Sequence, residues 1–490
     1  MKFDILKDFR DDENGGILAF SLIMFLTMVV GGGMAIDFIN HEMRREAVQD
    51  AMDRGVLAAA ASAKAAGAKT DAEIAAAEAA AISRVRSYIT ISGFDPDDMG
   101  VVVTPDITAD HQRIDVAANF SVDTYFLRLS GINTLDGQAV SGAEVKKSNI
   151  EMSLVFDVSG SMASKLIVNR EIVTRMSLLK AAAKEFASIM LNGDSSEYTS
   201  ISVVPFSGQV AIPQVMANQY TNFGRRDPWH TYSNCVAFGW RDYNTTRIRR
   251  NQMLTQYQHF NSFGSPWCPG HESEVLPLAN NLTKINAMLD GMSPQGNTNT
   301  WTGIKWGAAL LDPYTRPIVR RLANICSHGE CVVDREFRNR PANYSDEDTL
   351  KFIIVMTDGQ NTPEMVIPTD DYNFDGSDEV YTQSNANHWD AVDAVDVLYP
   401  YDGNWNPAPG AIRATGKQGD RRMQRICNAA KRRDIVIFTI GVDIDAGGTA
   451  YRQMRDCAST PGHFYSVGSA NMADAFEGIA NTILKLRLVN

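Results

Sequence analysis

An α/β protein with a doubly wound, mostly parallel sheet is the fold class this sequence predicts, on three observations. Four apolar runs, at Ile150–Phe156, Thr199–Phe206, Lys351–Asp358 and Asp434–Gly441, are nearly continuous rather than alternating, as strands buried on both faces are. Helical stretches such as Met176–Ala187 separate them, so the connections have the length of crossovers. The apolar share, 44% of 490 residues, is ample for at least one large core. This domain is expected over residues 148–490, with insertions at about 211–278 and 360–416 that are rich in Asn, Tyr, Trp, Pro and Gly and show little periodicity. The insertions read equally as a partner-binding surface or as elaborations stapled by disulfides.

A different kind of element comes first in the chain. No charged residue stands between Glu13 and Asp37, and at about 1.5 Å per residue that stretch reaches roughly 34 Å, enough to cross a hydrocarbon core of about 30 Å. We read residues 1–15 as a cytoplasmic tail and 16–38 as a transmembrane helix. A cleavable signal peptide is the rival reading, because Gly33-Met34-Ala35 is a small-x-small site after an apolar region. From His41 to about Ile91 the chain is rich in Ala, Glu, Arg and Lys and should be largely helical. Met43, Ala47, Ala51 and Gly55, with Val48, Met52 and Val56, form a weakly apolar stripe at helical spacing. Residues 66–71 should break the helix, with Thr70 or Asp71 capping a second one over Ala72–Tyr88. After Pro96 the texture turns to β at Val101–Thr104, Arg113–Val122 and Gln138–Val145, so residues 39–147 read as a helical stalk with a small α+β module.

The formal charge of −12, without long blocks of one sign, argues against nucleic acid as partner, since phosphate binding wants a basic face. All six cysteines follow position 230 and none lies in a C-x-x-C pair, so they read as disulfides of an exported domain rather than as zinc ligands. Of the 15 pairings that six cysteines allow, the sequential one is expected because each neighbouring pair encloses a local loop: Cys235–Cys268, Cys326–Cys331 and Cys427–Cys457. Lys2, Lys7 and Arg10 are balanced by Arg44, Arg45 and Arg54 across the span, so basic residues do not orient it. Disulfides would put the large carboxyl-terminal part on the oxidising side.

The chemistry concentrates at strand ends. Asp157-Val158-Ser159-Gly160-Ser161 follows the first apolar strand, Thr298 precedes a helix beginning near Thr302-Gly303, and Asp358 ends the strand from Lys351. Parallel strands bring their carboxyl ends to one edge, so Asp157, Ser159, Ser161, Thr298 and Asp358 can meet as two carboxylates and three hydroxyls. Oxygen donors of this kind suit Mg²⁺ foremost, with Mn²⁺ or Ca²⁺ as alternatives.

The order D-x-S-x-S, then T, then D resembles the metal-ion-dependent adhesion site of a von Willebrand factor type A domain. The resemblance implies that those five residues hold a divalent cation, directly or through water, with Thr298 rather than Thr300 as the family's first threonine. It further implies that a protein partner contributes an acidic residue to the ion. The amino-terminal region, with Ala35-Ile36-Asp37, Arg45 and Gln49–Ala60, resembles the TadE/TadG group of tight-adherence (Flp-type) pilus assembly proteins. The ending Phe476–Leu488 is similar to the carboxyl terminus of TadG members, which join such an anchor to a type A domain. The fifth residue after Gly16 is Ser21, where processed pseudopilins of that system carry glutamate, so a retained anchor is expected.

Asp371-Tyr372-Asn373-Phe374-Asp375-Gly376 has the spacing of a calcium loop, but its twelfth position is Thr382 where a bidentate glutamate is needed, so it reads as a solvated turn. No nucleophile elbow, P-loop or H-E-x-x-H is present, and His230, His259, His271, His328, His388 and His463 are scattered through loops. The expectation is therefore a binding module and not an enzyme: a single-pass protein of a bacterial inner membrane, its large part periplasmic, acting in assembly or anchoring of a Flp-type pilus. Metal-dependent hydrolysis by the same carboxylates, or a surface adhesin released by cleavage near Ala35, are the alternatives.

Overall fold

The structure is a computed structural model and describes residues 14–489 apart from 67–69, 109–110, 147, 169, 194, 226–229, 328, 369–389, 392 and 400–405. The Asp371–Gly376 turn, Thr382, His328 and His388 lie outside the described residues. The chain divides into two compact units, Met1–Lys147 and Ser148–Asn490.

In the first unit, helix α1 (Asn14–Ala66) runs unbroken past Asp37, so the border expected near residue 38 is a change of composition within one helix. No proline interrupts it, and the weaker helix formers at the border, Gly31–Gly33 and Asp37–His41, lie between the stronger ones of Leu18–Met28 and Glu42–Ala60. Its segment from Ile17 is long and apolar enough to cross a membrane. Helix α2 (Asp71–Ile91) starts from a capping box in which Thr70 Oγ1 accepts from Glu73 N and Thr70 N donates to the Glu73 carboxylate. It extends beyond the expected Tyr88 and stops before Gly93, whose φ of 88° suits glycine. Strands β1 (Val102–Ile107), β2 (His111–Asp123) and β3 (Thr134–Lys146) form an antiparallel sheet in that order. Val48, Met52 and Val56 of α1 pack with Val85 and Ile89 of α2 and with Ile114 and Val116 of β2. The expected stripe therefore holds only from Val48 onward, since Met43 and Ala47 are exposed.

The second unit is built on a six-stranded, mostly parallel sheet. Its members are β4 (Asn149–Asp157), β7 (Thr199–Phe206), β8 (Leu276–Ala279), β9 (Thr349–Thr357), β10 (Val436–Val442) and β11 (Phe464–Val467), in the order β8-β7-β4-β9-β10-β11. Only β8 is antiparallel to its neighbour. A short hairpin, β5 (Lys165–Val168) and β6 (Glu171–Thr174), stands outside this sheet.

Successive residues of each central strand face opposite ways, and both faces are covered. Leu154, Phe156, Ile354 and Ile440 pack with helices α3 (Arg175–Met190), α4 (Leu282–Gly291) and α9 (Met472–Val489). Val155, Phe206, Ile353 and Ile437 pack against α5 (Thr300–Leu310), α6 (Arg316–Leu322), α7 (Gly416–Lys431) and α8 (Thr449–Cys457). This double burial is why the strands read as continuous apolar runs. Helix α5 approaches unusually closely: a Cβ on Gly303 would lie 2.6 Å from the Phe206 ring, and one on Gly307 2.7 Å from Val155.

The insertions are not bare loops. Described parts of both share an apolar cluster of Cys235, Tyr257, Phe260, Trp267 and Cys268 from the first with Met365, Ile367, Leu398 and Ala411 from the second. Beside it Glu364, buried, receives Gln209, Arg413 and Arg422. The disulfides are Cys235–Cys268, Cys326–Cys331 and Cys427–Cys457, the sequential pairing.

Candidate metal centre

Strand β4 ends on Asp157 and β9 on Thr357, one residue before Asp358. The chain leaves β4 toward β7 on one side and later returns as β9 on the other, so the crevice between the ends of β4 and β9 is a topological switch point, where open α/β sheets bind ligands. Three loops are laced together there. Gly160 N donates to Gly296 O at 2.9 Å and Gln295 N to Val158 O at 2.7 Å, while Thr362 N donates to Thr298 O at 2.9 Å. The glycines of α5 let that helix lie close to the sheet and bring the loop before it to this edge.

The five residues expected from the sequence converge. Asp157 is fully buried; its Oδ1 accepts from Ser159 N at 2.8 Å and its Oδ2 from Thr357 Oγ1 at 2.5 Å. Ser159 Oγ and Ser161 Oγ are 3.0 Å apart, and Ser161 Oγ donates to Asp358 Oδ1 at 2.6 Å. Thr298 is buried at 6% exposure, and a Cβ on Gly359, next to Asp358, would lie 3.9 Å from Thr298 Oγ1. Ser161 and Gly160 are exposed, so the rim of the site reaches the surface above the buried carboxylates.

Three further residues complete the arrangement. Thr357 orients Asp157, as above. Arg175, the first residue of α3, donates from Nη1 to Asp358 Oδ2 at 2.8 Å and from Nε to Asp443 Oδ2 at 3.1 Å. Asp443 in turn accepts from Ser469 N at 3.1 Å and from the Ser469 hydroxyl. Asp443 follows the last residue of β10, so the strand-end reasoning that selects Asp157 and Asp358 applies to it equally. Arg175 carries no comparable signal, because it reaches the site through the β5–β6 hairpin and the start of a helix.

The charges do not balance. Among the described residues, Arg175 is the one cation paired in this group of three carboxylates, with Asp358 and Asp443 and not with Asp157, which leaves a formal deficit of about two positive charges in a partly dry site. Burial first, and the neighbouring Asp358 charge second, push the Asp157 carboxyl up from 3.8 to about 7, against the lowering effect of its Ser159 and Thr357 hydrogen bonds. Hard oxygens around a doubly negative pocket fit a divalent cation of the Mg²⁺, Mn²⁺ or Ca²⁺ kind. No group of three or more His, Cys, Asp or Glu at metal spacing exists among the described residues, so the donor set depends on the hydroxyls.

Residues 15–62 match the family described as putative Flp pilus-assembly TadE/G-like, which bears out the resemblance read from that segment. No curated protein matches. Among solved structures, the chain is similar to the vWF domain of the type V pili tip protein Mfa5 from Porphyromonas gingivalis, at 14% identity and a TM-score of 0.36, over 70% of this chain and 97% of that one. It is also similar to the pilus adhesin SpaC from Lactobacillus rhamnosus GG in its open conformation, at 13% identity and a TM-score of 0.33, over 79% of this chain and 33% of that one. The PilB minor pilin from Streptococcus sanguinis matches at 13% identity and a TM-score of 0.31, over 79% of this chain and 78% of that one.

Proposed function

We propose that the carboxyl-terminal unit is a von Willebrand factor type A-like binding module, and that its strand-end site takes a divalent cation and, with it, an acidic group of a protein partner. The observation that carries this reading is the buried Asp157–Asp358 pair, met by the hydroxyls of Thr357, Ser159 and Ser161, in which, among the described residues, Arg175 pairs with Asp358 and no cation pairs with Asp157. Asp157, Ser159, Ser161, Thr298 and Asp358 would hold the ion, with Mg²⁺ favoured by abundance and Mn²⁺ or Ca²⁺ compatible with the same donors. When bound, the cation supplies an exposed positive charge that attracts a carboxylate. The chain's own residues do the rest. Ser159 N and Thr357 Oγ1 fix the Asp157 carboxylate, Ser161 ties the rim to Asp358, and Arg175 restrains Asp358 from the side away from Ser161.

The surroundings suit a protein partner. The β5–β6 hairpin leads from the Ser161 rim to Arg175, and its cross-strand pair Ile167 and Ile172 is 79% and 73% exposed. Such a pair adds an apolar contact beside a polar anchor, as interface cores do. The setting we propose is assembly or anchoring of a Flp/Tad-type pilus, supported by the match over residues 15–62. The apolar part of α1 serves as a single-pass anchor in the inner membrane, and the three disulfides support a periplasmic position for the second unit. The test is co-sedimentation of the full-length protein in detergent with sheared Flp pili, in Mg²⁺ and in EDTA. Binding in Mg²⁺ that is lost in EDTA and in Ser159→Ala is expected; equal co-sedimentation in all three contradicts the reading.

A further inference from the structure

We propose that the loop between β2 and β3, residues 124–133, is a second membrane contact that seats in the headgroup and acyl boundary of the bilayer that α1 crosses. The proposal rests on the reading of α1 as a membrane span, and its evidence lies within the first unit. From Ile17 to Ile36 the helix covers about 30 Å without a charge, so Asp37 is the first charged residue at the edge of the hydrocarbon. A carboxylate there is costly unless its oxygens are satisfied. They are: Asp37 Oδ1 accepts from Tyr125 N at 2.9 Å, and Oδ2 from Phe126 N at 2.9 Å and Leu127 N at 2.7 Å. Asp37 is only 1% exposed although Ile36, Phe38 and Ile39 beside it are 48–57% exposed.

The helix is shaped to receive the loop. A Cβ on Gly33 would lie 2.1 Å from the Phe126 ring, so glycine is what lets Phe126 lie against α1 one turn inside the border. Gly31 and Gly32, by contrast, have nothing within 4 Å. The loop is therefore fastened at the level of residues 33–37, where the apolar helix ends.

What the loop then presents outward is three large apolar side chains together with the polar Arg128, Ser130 and Asn133. Tyr125 is 72% exposed, Leu129 74% and Ile132 45%, so the described residues of this unit leave them largely uncovered. Three large apolar side chains around one exposed Arg128 have the composition of an interfacial anchor: the aliphatic groups enter the acyl boundary, Tyr125 suits the headgroup level, and Arg128 meets phosphate. Ile36, Phe38 and Ile39 of α1, beside the Asp37 that holds the loop, are exposed and apolar like the span before them, which favours lipid over a second protein as occupant. Seated this way, the loop would stop α1 from sliding or tilting freely and hold the β module at a set height.

All six cysteines are paired, so one introduced cysteine can carry a nitroxide label unambiguously. The full chain is reconstituted in vesicles of zwitterionic and anionic phospholipid, with labels at Leu129→Cys, Tyr125→Cys, Phe25→Cys and Ile91→Cys. Accessibility to oxygen and to a water-soluble nickel chelate is then compared. Phe25, within the span, reports on that premise alone, and Ile91 is the aqueous reference: Val85 and Tyr88 of α2 meet Gly55, about 27 Å beyond Asp37, and Ile91 follows within two further turns, still roughly 20 Å from that border. We expect Leu129 and Tyr125 to side with Phe25, oxygen-accessible and chelate-protected. Leu129 as chelate-accessible as Ile91, with Phe25 in lipid, overturns the loop contact and leaves the span standing. Leu129 shielded from both reagents means a protein partner covers the loop, and Phe25 in water removes the premise; either overturns the proposal.

Discussion

Replacing Asp157 by Asn tests the electrostatics of the strand-end site most sharply, because the variant keeps the shape and removes the charge. Asn Oδ1 can still accept from Ser159 N, and Thr357 Oγ1 can turn to accept from the amide. In the metal-free protein the folded state holds Asp157 up to about 7 against 3.8 ordinarily. Between those values the folded chain carries a proton that the unfolded chain has released. The stability this group contributes is therefore complete below about pH 4 and lost as pH rises through about 7. The difference of roughly three pH units corresponds to something on the order of 4 kcal/mol, with no discount for screening because the carboxylate is fully buried. In EDTA, Asp157→Asn should accordingly be more stable than the native protein at pH 8 by up to that amount and close to it at pH 4, as read by urea unfolding at both pH values. Added Mn²⁺ should reverse the order at pH 8, since only the native chain has the charge to use it. An Asn variant that is destabilised equally at pH 4 and pH 8 in EDTA would refute the reasoning, because Asp157 would then be an ordinary satisfied carboxylate.

Arg175→Gln removes the guanidinium that occupies Asp358 and Asp443, so Mn²⁺ affinity should tighten by roughly tenfold, about 1.4 kcal/mol, in a titration at low salt; unchanged or weaker affinity would mean the arginine does not compete. Gly307→Ala places a methyl 2.7 Å from Val155 and should cost about 1–3 kcal/mol of unfolding free energy while leaving the disulfides formed. His230 donates from Nε2 to Tyr257 O, and burial holds its pKa down from 6.5 to about 4. Here the unfolded chain takes up the proton first, so stability present above pH 6.5 is lost as pH falls toward 4, by about 3 kcal/mol. That slope opposes the one from Asp157, so it is read as the difference between the native protein and His230→Gln, whose acid loss should be smaller.

Much of this was legible because two simple patterns carried it. Strands buried on both faces, such as Ile150–Phe156 with Leu154 and Val155 turned to opposite layers, leave an uninterrupted apolar run. Carboxylates placed immediately after such runs then mark the working edge, and Asp157 and Asp358 both stand there. The same reasoning stops at residues that reach the site from elsewhere. Arg175 lies at the start of a helix, and only the β5–β6 hairpin folded between Ser161 and Arg175 delivers it. The insertions resist for another reason: their core is assembled from irregular segments far apart in sequence, as where the Tyr257 hydroxyl meets Met365 O, so no period announces it. In the first unit a cap at Thr70 or Asp71 was readable and the structure selects Thr70, whereas the exposure of Met43 was not. The role of Asp37 was hidden because its partners are backbone groups of residues 125–127.

The most direct measurement is Mn²⁺ binding followed by the loss of the free-ion electron paramagnetic resonance signal, at pH 8, for the native protein and for Asp157→Ala. The account predicts one bound ion per native chain, displaced by excess Mg²⁺, and none at this site in the variant. Equal Mn²⁺ uptake by the two proteins, or none by the native protein in its folded state, would contradict it.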